Sequence, residues 1–189
     1  MESLKVAVTG GIGSGKSYVC RLLEKRGLTV YDCDRAAKRL MSSSEMIRSS
    51  LKDLIGEDVY DGDTLRKSVI AEYLLKSEDN AKRLNGIIHP AVAEDFRQSR
   101  LQWMECAILF SSGFDKLVDR VVCVTAPLDV RIGRIMQRDG ISREKALEWI
   151  GRQMPQDEVI RRSNYVIVND GIQNLDKQIS KVMTSLNYR

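Results

Sequence analysis

Five short apolar runs punctuate the chain, and none of them alternates regularly with polar residues. Continuous apolar runs of this kind are typical of parallel strands that are covered on both faces. Helical patterns separate the runs, so the pattern predicts an α/β fold with a five-stranded parallel sheet. The predicted strands are 5–8, 28–31, 105–110, 120–125 and 165–169.

A long stretch without any strand pattern separates the second and third predicted strands. A single crossover helix needs only about a dozen residues. The surplus therefore predicts a helical domain inserted into the sheet, and a smaller, arginine-rich excursion follows at 131–163. The predicted helices of the insertion are 34–42, 45–55, 64–76, 79–87 and 90–101, with breaks at 42–44, 61–63 and 89–90.

The first predicted strand is followed directly by GGIGSGKS, residues 10–17. This stretch matches G-x-x-x-x-G-K-[ST] and opens a predicted helix at 16–26, which is the context that a phosphate-binding loop requires. Glycines permit positive φ angles, so successive backbone N–H groups can point into one concavity. The helix N-terminus adds further unpaired N–H groups. In such a loop Lys16 reaches the β- and γ-phosphates and Ser17 offers its hydroxyl to Mg²⁺.

Other glycine-rich motifs fit this stretch less well. A dinucleotide-binding fingerprint fails on spacing, because its third glycine would fall at Lys16 or at Tyr18. The base-recognition motif Asn-Lys-x-Asp of GTPases does not occur in the sequence, and the D-x-x-G at 53–56 lies in a helical pattern. The loop by itself leaves open whether the terminal phosphate goes to water or to a substrate.

Two acids, Asp32 and Asp34, stand at the end of the second predicted strand. An extended backbone would point both side chains to the same side, at the sheet edge where α/β proteins bind ligands. One carboxylate could accept the proton of an attacking hydroxyl while the other helps to hold Mg²⁺. The alternative is that Asp34 only caps the predicted helix that follows it.

Composition and charge narrow the classes of partner. With 43% hydrophobic and 30% charged residues, the chain has the balance of a soluble globular protein. A net charge of +4 suits an anionic small molecule and is too small for a nucleic-acid footprint. The four cysteines form no CxxC pair, and neither a signal peptide nor an apolar run of membrane-spanning length occurs. We therefore expect a reduced, cytoplasmic protein with neither nucleic-acid nor membrane partners, whose oligomeric state the sequence leaves open.

Several fragments resemble those of dephospho-CoA kinases, in the same order along the chain: VTGGIGSGKS, YDCDRAAK, LNGIIHP, ILFSSGF, RIGRIMQRDGIS, GRQMP and VIVNDG. The resemblance implies transfer of the γ-phosphate of ATP, with Mg²⁺, to the ribose 3′-hydroxyl of dephospho-CoA. That reaction is the final step of coenzyme A synthesis. The implied fold is nucleoside-kinase-like and three-layered. Its parts are a nucleotide-binding core (1–33, 103–130 and 164–189), a helical substrate-binding domain (34–102) and a lid (131–163).

The resemblance also implies roles for individual residues. Asp34 corresponds to the catalytic base, with Lys16 and Arg138 as further catalytic groups, while Ser17 and Asp32 hold the metal. The implied ATP contacts are Gly11, Ile12, Gly13, Ser14, Gly15, Lys16, Ser17, Tyr18, Arg134 and Asn169. The implied substrate contacts are Asp32, Asp34, Lys38, Arg66 and His89.

For some of these residues a structural role is the alternative to a role in ligand binding. His89 precedes Pro90, where a histidine would otherwise begin a helix as a structural residue. Arg134 and Arg138 are four apart and share one helix face. The remaining arginines of the excursion are expected to form a solvated face: Arg131, Arg143, Arg161 and Arg162.

The sequence departs from the family pattern at three places. Tyr18 stands where a threonine is usual, and Ala107 and Ser111 replace a proline and a glutamate. The stretch between His89 and Ala107 is also shorter than its counterpart. Either a tight junction follows the last predicted helix near Gln102, or a loop is missing there, and we expect the missing loop.

Two other functions remain as alternatives. The chain could be another small-molecule kinase of the same fold, or a switch that hydrolyses a nucleotide to change partners. The absence of a base-recognition motif and the large helical insertion argue against the switch.

Overall fold

The computed structural model describes residues 4–187, which form two compact units. The helical unit is Asp32–Arg100, and the described residues on either side of it form the sheet unit. The strands are β1 (Val6–Thr9), β2 (Val30–Asp32), β3 (Tyr60–Asp61), β4 (Thr64–Leu65), β5 (Trp103–Glu105), β6 (Arg120–Thr125) and β7 (Tyr165–Val168). The helices are α1 (Lys16–Glu24), α2 (Cys33–Ser43), α3 (Glu45–Ile55), α4 (Lys67–Lys76), α5 (Glu78–Ser99), α6 (Leu128–Asp139), α7 (Arg143–Gly151), α8 (Gln156–Arg161) and α9 (Leu175–Ser185).

Five strands form one sheet in the order β2-β5-β1-β6-β7, which confirms the predicted α/β fold. Strand β1 lies between β5 and β6 and pairs in parallel with both. Val6, for example, lies opposite Trp103 on one side and Arg120 on the other. All four residues of β1 are buried, as expected for a central strand that is covered on both faces. Helices α1 and α9 contribute apolar side chains to the same core, including Val19, Leu23 and Ile179.

The third strand of the sheet was predicted at 105–110, and this prediction is wrong. The strand is Trp103–Glu105, and the following residues form turns. Leu109 and Phe114 remain buried inside this irregular segment, where the Phe114 N–H donates to the Leu109 carbonyl. Burial extends beyond the strand, so the apolar run does not mark where β-pairing stops.

The helical unit contains α2 to α5 and a small antiparallel hairpin of β3 and β4. The hairpin takes up the start of the helix predicted at 64–76, so α4 begins only at Lys67. The break predicted at 89–90 is also wrong, because α5 runs through Pro90 without interruption. One buried stripe continues past the proline, through Leu84, Ile88, Val92 and Phe96. Tertiary packing of that stripe outweighs the local cost of an internal proline.

The connection between α5 and β5 is tight in the given sequence, and whether a loop is missing there stays a prediction. Helix α5 ends at Ser99, and Arg100 adopts a left-handed backbone conformation with φ of 58°. Two further residues lead into Trp103. A left-handed residue after a helix turns the chain sharply, so three residues suffice for the junction.

The four cysteines are free and buried. None of the helices in residues 4–187 is both long enough and apolar enough to cross a lipid bilayer.

Candidate active site

The phosphate loop joins the end of β1 to the start of α1 within the sheet unit. Three of its glycines take conformations that other residues rarely adopt, with φ of 143° at Gly10, 79° at Gly13 and 87° at Gly15. At Gly10 the restriction is steric as well, because a Cβ atom would lie 2.1 Å from the Val124 carbonyl oxygen. The sequence thus places glycine where the backbone turns and where it packs closely against β6.

The carbonyl groups of the loop are held by side chains from later in the chain. Arg131 Nε donates to the Ile12 carbonyl at 2.9 Å, and Asn169 Nδ2 donates to the Ser14 carbonyl at 2.9 Å. Arg134 Nη1 donates to the carbonyls of Gly13 and Ser14, each at 3.3 Å. In a trans peptide the C=O of one residue and the N–H of the next point in opposite directions.

Holding the Ile12 and Ser14 carbonyls therefore turns the N–H groups of Gly13 and Gly15 the other way. Neither N–H donates to a protein acceptor within residues 4–187. Ser14 Oγ is fully buried and likewise has no hydrogen-bond partner in that part of the chain. Gly15 stands at the N-cap of α1 without a side-chain cap, and Lys16 is the first residue of that helix. The Gly13 and Gly15 N–H groups and Ser14 Oγ thus lie unpaired near a helix N-terminus, which fits a chain of phosphates.

A carboxylate lies beside the loop serine. Ser17 Oγ donates to Glu105 Oε1 at 2.7 Å, and Glu105 is the last residue of β5, next to β1 in the sheet. Within the described residues no three His, Cys, Asp or Glu side chains converge as a metal site. Mg²⁺ does not need such a cluster, because it keeps several waters and binds one or two protein oxygens together with substrate phosphates. The Ser17–Glu105 pair fits that mode of binding.

Glu105 was missed as a site residue. The predicted strand 105–110 placed it where a strand begins, whereas it ends one, at the edge where ligands of parallel sheets bind. The signal available in the sequence was an acid directly after two apolar residues, Trp103 and Met104. Glu105 also acts on Cys20, whose pKa is raised by burial and by this nearby carboxylate.

Arg131 was expected on a solvated face, and this is wrong: only 5% of its surface is exposed.

The other predicted ATP contacts lie on both sides of the loop. Arg134 and Asn169 both contact the phosphate loop, through hydrogen bonds that they donate to its carbonyl groups. Tyr18 is half exposed, with the Arg21 guanidinium 5.7 Å from its ring centre. Arg138 is exposed and pairs with the neighbouring Asp139. Their roles in ATP binding and catalysis stay predictions.

The two acids after β2 do not share one extended segment. Helix α2 already begins at Cys33, and Asp32 is its N-cap, with Oδ1 accepting from the Arg35 N–H at 2.9 Å. The capping residue is therefore Asp32, not Asp34. Asp34 lies in the first turn of α2 and is exposed.

The remaining predicted substrate contacts lie on three elements of the helical unit. Lys38 is exposed on α2, and Arg66 is exposed directly before α4. His89 lies inside α5, not at a helix start, and it is half-buried. Burial lowers the pKa of His89 below its ordinary value.

A five-stranded parallel sheet with a glycine-rich loop between its central strand and a helix defines a nucleotide-binding protein of the P-loop class. The family model for dephospho-CoA kinase matches residues 4–174. A dephospho-CoA kinase from Bacteroides fragilis is 42% identical over 191 residues, which cover 97% of this chain and 93% of the relative.

Two solved structures share this fold. A Thermus thermophilus protein, TT1252, superposes with a TM-score of 0.86 at 31% identity and covers 98% of each chain. The dephospho-CoA kinase of Campylobacter jejuni has a TM-score of 0.69 at 19% identity over 96% of each chain, which is a likeness of fold. The chain belongs to the dephospho-CoA kinase family, a family of kinases that transfer phosphate from ATP.

Proposed function

We propose that this chain uses its phosphate loop to bind MgATP and transfers the γ-phosphate to the ribose 3′-hydroxyl of dephospho-CoA, giving coenzyme A. The observation that carries the proposal is the loop itself. Its outward carbonyls are held by Arg131, Arg134 and Asn169, and its unpaired N–H groups face the other way. Phosphoryl transfer depends mainly on positioning and charge stabilisation, and a preformed set of donors supplies both.

Ser17 and Glu105 are the residues that would hold Mg²⁺ in the sheet unit. The metal would neutralise charge on the β- and γ-phosphates, and Lys16 would add a second positive charge there. Ser17 would bind the metal directly through its hydroxyl, and Glu105 would orient that hydroxyl or a metal-bound water. Asp32 stays a proposed further ligand, although one of its oxygens already caps α2.

Asp34 is the proposed general base. Its exposure in the first turn of α2 leaves its carboxylate accessible to an acceptor hydroxyl. By capping α2, Asp32 fixes the helical turn that carries Asp34. Lys38, Arg66 and His89 are proposed to bind dephospho-CoA, and Arg138 is proposed to exchange Asp139 for phosphate when the lid segment closes. We also propose a cytoplasmic location, which the four reduced, buried cysteines support.

The test is coenzyme A formation from ATP, Mg²⁺ and dephospho-CoA by the purified protein. ADP release should depend on the acceptor, whereas a nucleotide-hydrolysing switch would release ADP without it. Asp34→Asn keeps the shape of the side chain and removes its basicity, so turnover should fall by roughly 10²–10⁴ while both substrates still bind.

The matched control is Asp53→Asn, which changes an exposed acid on α3 of the same unit and should leave turnover unchanged. Asp32→Asn should mainly raise the Mg²⁺ concentration needed for half-maximal rate. If Asp34→Asn turns over like the wild type while Asp32→Asn is inactive, the roles of the two acids are reversed.

A further inference from the structure

Two glutamines from the arginine-rich excursion hold the N–H side of the phosphate loop. Gln153 Oε1 accepts from the Ile12 N–H at 2.7 Å, and Gln156 Oε1 accepts from the Gly11 N–H at 3.1 Å. Both side chains are half-buried. Gln153 follows α7 and Gln156 begins α8, so neither is near the loop in sequence. Neighbouring residues of the excursion thus bond consecutive N–H groups of the loop.

The orientation of the Gln156 amide is determined by the Gly11 N–H, which can only donate and therefore requires the amide oxygen. The amide Nε2 then donates to Cys123 Sγ on β6 at 3.2 Å. Burial raises the pKa of Cys123 to about 11, which keeps the sulfur a neutral thiol at ordinary pH. The amide therefore bridges the central sheet and the loop, and a reversed amide would lose the hydrogen bond from the Gly11 N–H.

Ile12 is held in three ways. Its N–H donates to Gln153, its carbonyl accepts from Arg131, and its side chain packs against an apolar cluster that includes Ile132 and Ile135. The contact at Gly11 is equally close. A Cβ there would lie 2.5 Å from Arg131 Nη2 and 2.8 Å from Gln156 Oε1. The excursion thus determines the position of the loop residues that precede Gly13.

The choice of glutamine has a chemical reason. The α1 end of a phosphate loop binds the inner phosphates, which leaves the end formed by Gly11 and Ile12 for the transferred one. A neutral amide oxygen can bond these N–H groups without placing a negative charge beside the phosphates. A glutamate of the same length would make the same hydrogen bonds and repel the nucleotide.

We propose that Gln153 and Gln156 are positioning residues, which hold Gly11 and Ile12 in the shape that transfer of the terminal phosphate requires. The inference rests on the proposed function, since it assigns to the pair a part in the same reaction. Because both glutamines lie in the excursion at 131–163, a displacement of that segment would also displace this end of the loop.

The first test is Gln153→Met, which keeps the length of the side chain and removes the acceptor of the Ile12 N–H. Turnover with dephospho-CoA should fall roughly tenfold or more, because a half-buried donor is left unsatisfied at the transfer site. The affinity for ADP should stay within about twofold, because ADP lacks the terminal phosphate. Gln137→Met, an exposed glutamine on α6, is the matched control and should change neither quantity.

The second variant, Gln153→Glu, retains an acceptor for the Ile12 N–H, so the loop should keep its fold. It should weaken binding of a non-hydrolysable ATP analogue roughly tenfold more than binding of ADP, through repulsion of the terminal phosphate. If Gln153→Met lowers thermal stability and ADP affinity together, or if Gln153→Glu weakens both nucleotides equally, the pair has only a structural role and the proposal is overturned. Failure of the wild type to phosphorylate dephospho-CoA would instead overturn the proposed function.

Discussion

Glu105 supplies a carboxylate beside the Ser17 hydroxyl, although the family pattern has its acid at a different position, 111. The usual family glutamate at position 111 is a serine here, and Ser111 Oγ donates to a nearby backbone carbonyl. A carboxylate nevertheless reaches the loop hydroxyl, supplied by the residue that ends β5. The oxygen donors that a Mg²⁺ ion prefers are therefore present without an acid at position 111.

Glu105→Gln is expected to raise the Mg²⁺ requirement and to lower turnover roughly 10- to 100-fold, the usual cost of losing a partner that orients a metal ligand. The neutral amide can still accept from Ser17, so the fold should be retained. Rates measured across a Mg²⁺ titration check the prediction. Glu24→Gln, an exposed acid at the end of α1, is the control. Equal Mg²⁺ curves for Glu105→Gln and the wild type would remove Glu105 from the metal site.

Helix α5 combines two features that local sequence rules disfavour. Pro90 lies in its interior, and Arg100 ends it in a conformation that costs a residue with a Cβ about 1 kcal/mol or more. The buried stripe compensates for the first feature. The second makes the short turn into β5 possible, since a right-handed residue there would continue the helix.

Arg100→Gly should stabilise the protein, by roughly 0.5 kcal/mol, because glycine removes the left-handed strain and loses only part of that gain to unfolded-state entropy. The matched variant Arg97→Gly, inside α5, should destabilise it by about 1 kcal/mol. Urea unfolding midpoints of both variants check the pair. A destabilised Arg100→Gly would show that the arginine side chain contributes more than its backbone costs.

The whole molecule carries one histidine among 189 residues, so its stability between pH 7 and 5.5 depends on few groups. Burial lowers the pKa of His89 in the folded protein. The unfolded chain therefore binds more protons in this window, and the free energy of unfolding rises with pH. The stabilisation that comes from keeping His89 neutral is complete above its pKa in the unfolded chain, near 6.5. It is lost as the pH falls towards the lower pKa of His89 in the folded protein.

We expect the free energy of unfolding to decrease as the pH falls from 7 to 5.5, with a slope of at most about 1.4 kcal/mol per pH unit. His89→Gln should remove most of this slope, because no other side chain with an ordinary pKa titrates there. Urea denaturation of both proteins at several pH values measures the slope. An unchanged slope in His89→Gln would mean that another group is responsible.

Local patterns determined much of this protein. The spacing of Gly10, Gly15, Lys16 and Ser17 predicts the phosphate loop, because its function depends on short-range backbone geometry. Apolar runs predict the parallel sheet, and the surplus between strands predicts the inserted helical unit. Family fragments then predict the reaction, which the relatives bear out.

Only the tertiary structure decided which side chains hold the loop. Arg131, Gln153 and Gln156 are more than a hundred residues from the loop residues that they contact, and nothing in their local pattern separates them from a solvated face. The same is true of Glu105, whose place next to Ser17 follows from the order of the strands. Hydrogen bonds between distant segments depend on how the sheet assembles, and that is a property of the folded chain alone.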